Sequence, residues 1–212
     1  GVQVPNKEIV SVLRNVGCEV DHKTSTTKIP SSIVIEMVKK ASKNFTIYSR
    51  GGESLAFGEG SFKVLSSGGM MNVVEPLTYE RRPATLKDVE KAVKLGDALE
   101  NIDIVGALFV PQDVFTQLAD IYMYATLIKY TSKPFFAWIY SIQSARYILR
   151  MWTAVTGEEC GKRPLSMGFF EPISPLRFSD HSLPILKLFA EHRIPVCFGP
   201  MVMASATGPA TL

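Results

Sequence analysis

Phe136, Trp138 and Tyr140 fall at alternate positions, so on an extended strand their three rings share one face. Such a face attracts tertiary or quaternary ammonium groups by cation–π interaction, worth up to ~2 kcal/mol once the cation is desolvated. The same rings serve equally well as core packing against flanking helices. Asp113, beside Gln112, and Glu171 are carboxylates that directly follow apolar runs. Each could act as a general acid or base, or balance a cationic substrate. Their structural alternatives are a cap on the next helix for Asp113 and an ion pair with Arg177 for Glu171. Other chemistries lack their residues. The glycines between 51 and 69 spell neither a dinucleotide fingerprint nor a phosphate-binding loop. His22, His181 and His192 stand apart from one another and from any Cys/His cluster, which argues against zinc, and no nucleophile elbow appears.

The elements that must position these residues show as a rhythm. Apolar runs at Asn101–Val110, Lys133–Tyr140, Pro164–Phe170 and Ile194–Val202 recur roughly every 30 residues, most followed by an amphipathic stretch. Near-continuous apolar runs of this kind are strands of a parallel sheet buried on both faces. The pattern predicts strands over 103–110, 135–140, 165–170 and from Val196, with helices over 116–130, 144–156 and 182–192. Ligand sites in such folds form at the carboxyl ends of strands. That rule selects 111–113, 138–141, 170–174 and 200–208.

A parallel barrel needs about eight strands to close, so four predict a part of one. The expected fold is α/β: a partial TIM (β/α)8-type barrel of about four βα units over 83–212, preceded by an α+β amino-terminal appendage over 1–82. In that appendage the spacing predicts helices over 6–16 and from Pro30, and a strand at Phe45–Tyr48, followed by glycine-punctuated hairpins. Thr85 is the expected N-cap of the first helix of the regular part, with Asp88 in its first turn. A chain without an initiator Met that stops after the fourth strand is expected to be truncated at both ends.

Composition narrows the partners. A net charge of +3 without a basic run gives nucleic-acid binding little support. Cys18, Cys160 and Cys197 are odd in number and widely spaced, as reduced thiols of a cytoplasmic protein would be. The 19 uncharged residues Ile194–Leu212 are broken by Pro195, Pro200 and Pro209 and read as a buried strand running into a loop, not a membrane span.

An ordered series of motifs covers nearly the whole chain. It comprises Glu80-Arg81-Arg82-Pro83-Ala84-Thr85-Leu86-Lys87-Asp88, Asn101-Ile102-Asp103, Val110-Pro111-Gln112-Asp113-Val114 and Lys133-Pro134-Phe135-Phe136. Pro172-Ile173-Ser174-Pro175-Leu176 and Ile194-Pro195-Val196 leading to Met203–Pro209 continue it. The series resembles the amino-terminal portion of the trimethylamine:corrinoid methyltransferase superfamily (MttB-like). The resemblance implies a cytoplasmic barrel enzyme of one-carbon metabolism and methanogenesis, a little over twice this length. Such an enzyme moves a methyl group from a methylated amine, trimethylamine or a quaternary amine such as glycine betaine, to the Co(I) centre of a corrinoid protein. No cofactor would be bound directly; the corrinoid would arrive on that partner, and the full-length protein would be a homo-oligomer. The substrate-binding candidates are then Gln112, Asp113, Phe136, Trp138, Tyr140 and Glu171, with no catalytic residue assigned. The sequence departs from the family pattern at Ala137-Trp138-Ile139-Tyr140, where small residues are common, and at Glu171, where Asn is common. Two other readings stay open: a non-catalytic domain that binds a methylated amine, and an unrelated barrel hydrolase or lyase using Asp113 and Glu171.

Overall fold

A computed structural model of the chain describes residues 1–58, 60 and 62–208. Pro209-Ala210-Thr211-Leu212, the end of the last motif stretch, lie outside the described residues. In chain order the elements are β1 (Val2–Gln3), α1 (Lys7–Asn15), β2 (Glu19–Asp21), β3 (Thr26–Lys28), α2 (Ser31–Lys40), β4 (Phe45–Tyr48), β5 (Ser54–Phe57), β6 (Asn72–Val74) and β7 (Arg81–Pro83). The strand–helix part follows with α3 (Leu86–Ala98), β8 (Val105–Gly106), a 3-10 turn at Thr116–Leu118, α4 (Ala119–Tyr130), β9 (Phe135–Phe136), α5 (Ile142–Thr156), β10 (Gly168–Phe170), α6 (Ser182–Glu191) and β11 (Val196–Phe198). The architecture is mixed α/β, with six α-helices and small sheets among the described residues, none of them closed.

The four expected parallel strands are present, but as two separate parallel pairs, β8–β9 and β10–β11, and each is shorter than the apolar run that announced it. Backbone geometry explains the shortening of the first: Leu108 turns to φ 60°, a left-handed conformation that costs a non-glycine residue about 1–2 kcal/mol. The helices match their expected spans closely, with Asn6 Oδ1 accepting from Ile9 N to cap α1 and Ser141 Oγ accepting from Ser144 N to cap α5.

The chain forms two compact units. One combines residues 1–43 with 168–191 and 196–212. Its antiparallel sheet β1-β3-β2 extends through Gln3, whose backbone exchanges hydrogen bonds with Leu176 and Phe178 (2.8 and 2.9 Å). Val4, Val10 and Leu183 form its small core, with Ile9, Leu13 and Phe178 packed around them. Lys187 of α6 bridges Glu8 of α1 (2.5 Å) and Glu191 (3.1 Å).

The other unit is Asn44–Met167 with His192–Pro195, and it carries the larger core. Here a stretch with no strand signature in its sequence, 64–70, runs parallel to 103–110. Asp103 N donates to Val64 O, Ser66 N to Ile104 O, Met70 N to Leu108 O and Val110 N to Met70 O, all at 2.8–3.0 Å. Gly106 permits the approach, because a Cβ there would lie 1.9 Å from Ser66 O. Asp103 Oδ2 accepts from Val64 N (2.7 Å) and Ser66 Oγ from Gly106 N (2.7 Å), completing the pairing.

The start of α3 is held by charge. Arg82 forks onto both oxygens of Asp88 (2.7 and 2.9 Å) and also bridges Glu75 (2.6 Å). Asp88 reaches back to Thr85 N and Oγ1 (2.9 and 2.7 Å). These bonds, the Arg82 pair foremost and opposed only by burial, hold the Asp88 carboxyl well below its usual range. A depressed carboxyl stabilises the fold above the unfolded-state value and loses that contribution as pH falls through the folded value. Asp88→Asn should therefore lower stability by about 2 kcal/mol near neutrality. Its deficit against the parent should begin to shrink below pH of about 4. Urea unfolding from neutral pH down to about pH 2.5 checks this; a deficit constant across that range would exclude the assignment.

Candidate functional site

Strand β9 sorts its aromatic rings by parity. Phe135, fully buried, turns toward the helices and meets Tyr124 and Trp152 at centroid distances of 6.1 and 6.2 Å, edge to face. Phe136 and Trp138 turn the other way and contact each other edge to face at 5.3 Å. Core packing and an aromatic face are thus both present, on opposite sides of one strand. Gly68 and Gly69 lie against this second side. A Cβ at Gly69 would come within 3.0 Å of Trp138 Nε1, and the φ of 97° there also favours glycine.

After Phe136 the ladder ends, and α4 takes over the backbone. Tyr124 OH donates to Ala137 O (2.7 Å), and Asp120 Oδ2 accepts from Tyr140 N (2.8 Å). Both side chains are fully buried and sit one helical turn apart. Burial raises the Tyr140 hydroxyl above its ordinary value, and the charge of Asp120 raises it further. Neither residue was singled out by the sequence; an Asp at the start of an otherwise apolar helix was the signal available.

Tyr140 is the one of the six candidates that lines an open groove of about 540 Å³. Thr116, Gln117 and Ile121, which follow β8, form one wall; Ser141, Gln143 and Tyr147, which follow β9, form the other. The groove therefore lies between the starts of the two helices that follow β8 and β9, the side of the connections on which α/β folds place ligands.

Asp113 and Gln112 have structural employment. Asp113 Oδ1 accepts from Leu86 N (2.8 Å), so it caps α3, the helix before it, instead of the helix that follows. Gln112 N donates to Ala84 O (2.8 Å) and its Nε2 to Val110 O (2.9 Å), folding the side chain onto its own loop. Glu171 follows β10 in the other compact unit and is half-buried. Arg177, its suggested partner, exchanges backbone hydrogen bonds with Ile173 (2.7 and 3.0 Å).

These features define a mixed α/β protein with an aromatic-lined strand end. The chain belongs to the trimethylamine methyltransferase (MTTB) family, whose sequence profile matches residues 1–212. It is similar to the trimethylamine methyltransferase MttB of Desulfitobacterium hafniense (strain DSM 10664 / DCB-2), with 27% identity covering 100% of this chain and 43% of that protein. The trimethylamine methyltransferase MttB of Methanosarcina barkeri (strain Fusaro / DSM 804) is 28% identical, with 44% of its length covered. A glycine betaine methyltransferase of Desulfitobacterium hafniense (strain Y51) is 25% identical, again with 44% covered. The chain thus spans less than half the length of these relatives.

Because Asp113 is committed to α3, Asp113→Ala should cost about 1 kcal/mol of stability, the usual loss for a helix cap. Its binding of methylated amines should match the parent's by calorimetry. Binding lost with stability intact would place Asp113 at a ligand instead.

Proposed function

We propose that this chain is the amino-terminal part of a methyltransferase that takes a methyl group from a methylated amine, trimethylamine or a quaternary amine such as glycine betaine, and hands it to Co(I) of a corrinoid. The observation that carries this reading is the family match across all 212 residues. The corrinoid is the methyl acceptor and comes on a partner protein, so it is a substrate here. In the step, the cobalt electron pair forms the Co–C bond while the C–N bond breaks and leaves its pair on nitrogen. The step balances from a quaternary amine or from protonated trimethylammonium, whose nitrogen leaves neutral and one methyl shorter.

A methylated cation with no N–H to donate has to be recognised by shape, ring faces and nearby negative charge. The end of β9 supplies these through Phe136, Trp138 and Tyr140, with the groove beside Tyr140 open to a small ligand. Glu171 offers a carboxylate at the end of its own strand. The chain's part in an in-line displacement is then to bind and orient the amine and to exclude water from it. In the complete enzyme, 83–212 is the first half of a (β/α)8 barrel, behind an α+β amino-terminal appendage over 1–82. The enzyme is cytoplasmic and homo-oligomeric, and a 212-residue piece is inactive alone.

Trp138→Ala should weaken binding of glycine betaine or trimethylamine on the order of tenfold, the loss of one desolvated cation–π contact. Its midpoint of thermal unfolding should move little. Titration calorimetry beside a melting curve tells the outcomes apart. A large stability loss with unchanged amine affinity would make Trp138 core. Methyl transfer to a Co(I) corrinoid protein by the complete enzyme tests the reaction itself; binding without cobalt methylation would favour an amine sensor.

A further inference from the structure

We infer that Asp120, a residue the sequence motifs pass over, positions the aromatic strand end and supplies the negative charge that makes it prefer a cation. The inference rests on the amine reading above only for its second half. Beyond Phe136 the segment 137–140 has no neighbouring strand through which Ala137 O and Tyr140 N are paired. Tyr124 OH takes the first and Asp120 Oδ2 the second. Two side chains four residues apart on one rigid helix therefore fix both ends of the segment that presents Trp138 and Tyr140.

Asp120 is also a buried acid with no ion-pair partner among the described residues. Both its oxygens accept from backbone N–H groups, Oδ2 from Tyr140 and Oδ1 from Ile121 (2.9 Å). Hydrogen bonds to amides solvate the charge but do not cancel it. Its field reaches the rings of Tyr124 and Tyr140. Ile121 and Tyr140, the two residues bonded to it, both line the groove, so a ligand seated there lies over the buried charge. A cation gains from that field; a neutral molecule of the same shape does not.

Three variants of the 212-residue chain separate position from charge. Asp120→Ala removes the bond to Tyr140 N, so exchange of that amide with deuterium should accelerate on the order of tenfold or more. In protein labelled with 5-fluorotryptophan, the 19F resonance of Trp138 should move as well. Asp120→Asn keeps an oxygen acceptor for Tyr140 N, gives up the one for Ile121 N, and removes the charge. Its affinity for choline should fall on the order of tenfold, while that for 3,3-dimethylbutan-1-ol, the neutral isostere, holds within about twofold. Should Asp120→Ala not fold, Tyr124→Phe frees Ala137 O alone and should still shift the Trp138 resonance. Unchanged Tyr140 exchange together with an unmoved Trp138 signal would overturn the positioning role. Equal loss of both probes in Asp120→Asn would overturn the charge role. Failure of the parent chain to bind either probe would sink the amine reading, and the exchange result would still decide Asp120's place.

Discussion

Buried backbone polar groups have to find partners, and in the Asn44–Met167 unit the strands are too short to provide them all. β8 and β9 pair over only Val105–Gly106 and Phe135–Phe136. The rest of the pairing is done by elements with no strand signature. The Gly/Ser-rich segment 64–70 serves one edge of 103–110, and buried side chains from α4 serve the segment after β9. Remove this assistance and the strand ends, where ligands would sit, lose the geometry that points their side chains. The positions of Gly106, Ser66, Asp103, Asp120 and Tyr124 all follow from that one requirement.

Packing and polar pairing are coupled through Tyr124. Its ring joins Phe135 and Trp152 in an aromatic cluster of the core, and its hydroxyl ends on Ala137 O. One residue therefore measures the distance between α4 and β9 twice, by van der Waals contact and by a hydrogen bond. Truncating Phe135 or Trp152 would cost about 3–5 kcal/mol in cavity terms and would also loosen that bond. The core is in this sense the mount for the aromatic face on the other side of β9.

Much of this was legible in the sequence. The strand–helix beat gave α3 through α6 nearly to the residue, Asn6 and Thr85 marked helix starts, and Phe45–Tyr48 was a strand as expected. Local signals suffice there because caps and apolar periodicity act within a turn or two. The segment 64–70 was not legible, because its Gly/Ser content reads as loop and its partner lies some forty residues on. Asp113 shows the same limit. A cap on the helix that follows was one of the readings open for it, beside a ligand role; it caps the helix before, since Leu86 is distant in sequence and adjacent only after α3 has folded back. The single barrel sheet, too, was an extrapolation from rhythm; the described strands form short parallel pairs, the first cut short by the backbone turn at Leu108.

The motifs that mark the family turn out to bind chiefly to one another. Arg82 and Asp88 of one motif fork together, Asp113 of another caps the same helix, and Asp103 of a third ties down Val64. Lys133 donates to Leu99 O and Ile102 O (2.7 and 2.9 Å), closing the far end of α3. Removing one partner of such a pair strands the other, which costs most where the pair is buried, as at Asp88. Trp138 packs on this frame through Phe136 and Gly69, and Tyr140 is tied to it through its backbone N–H.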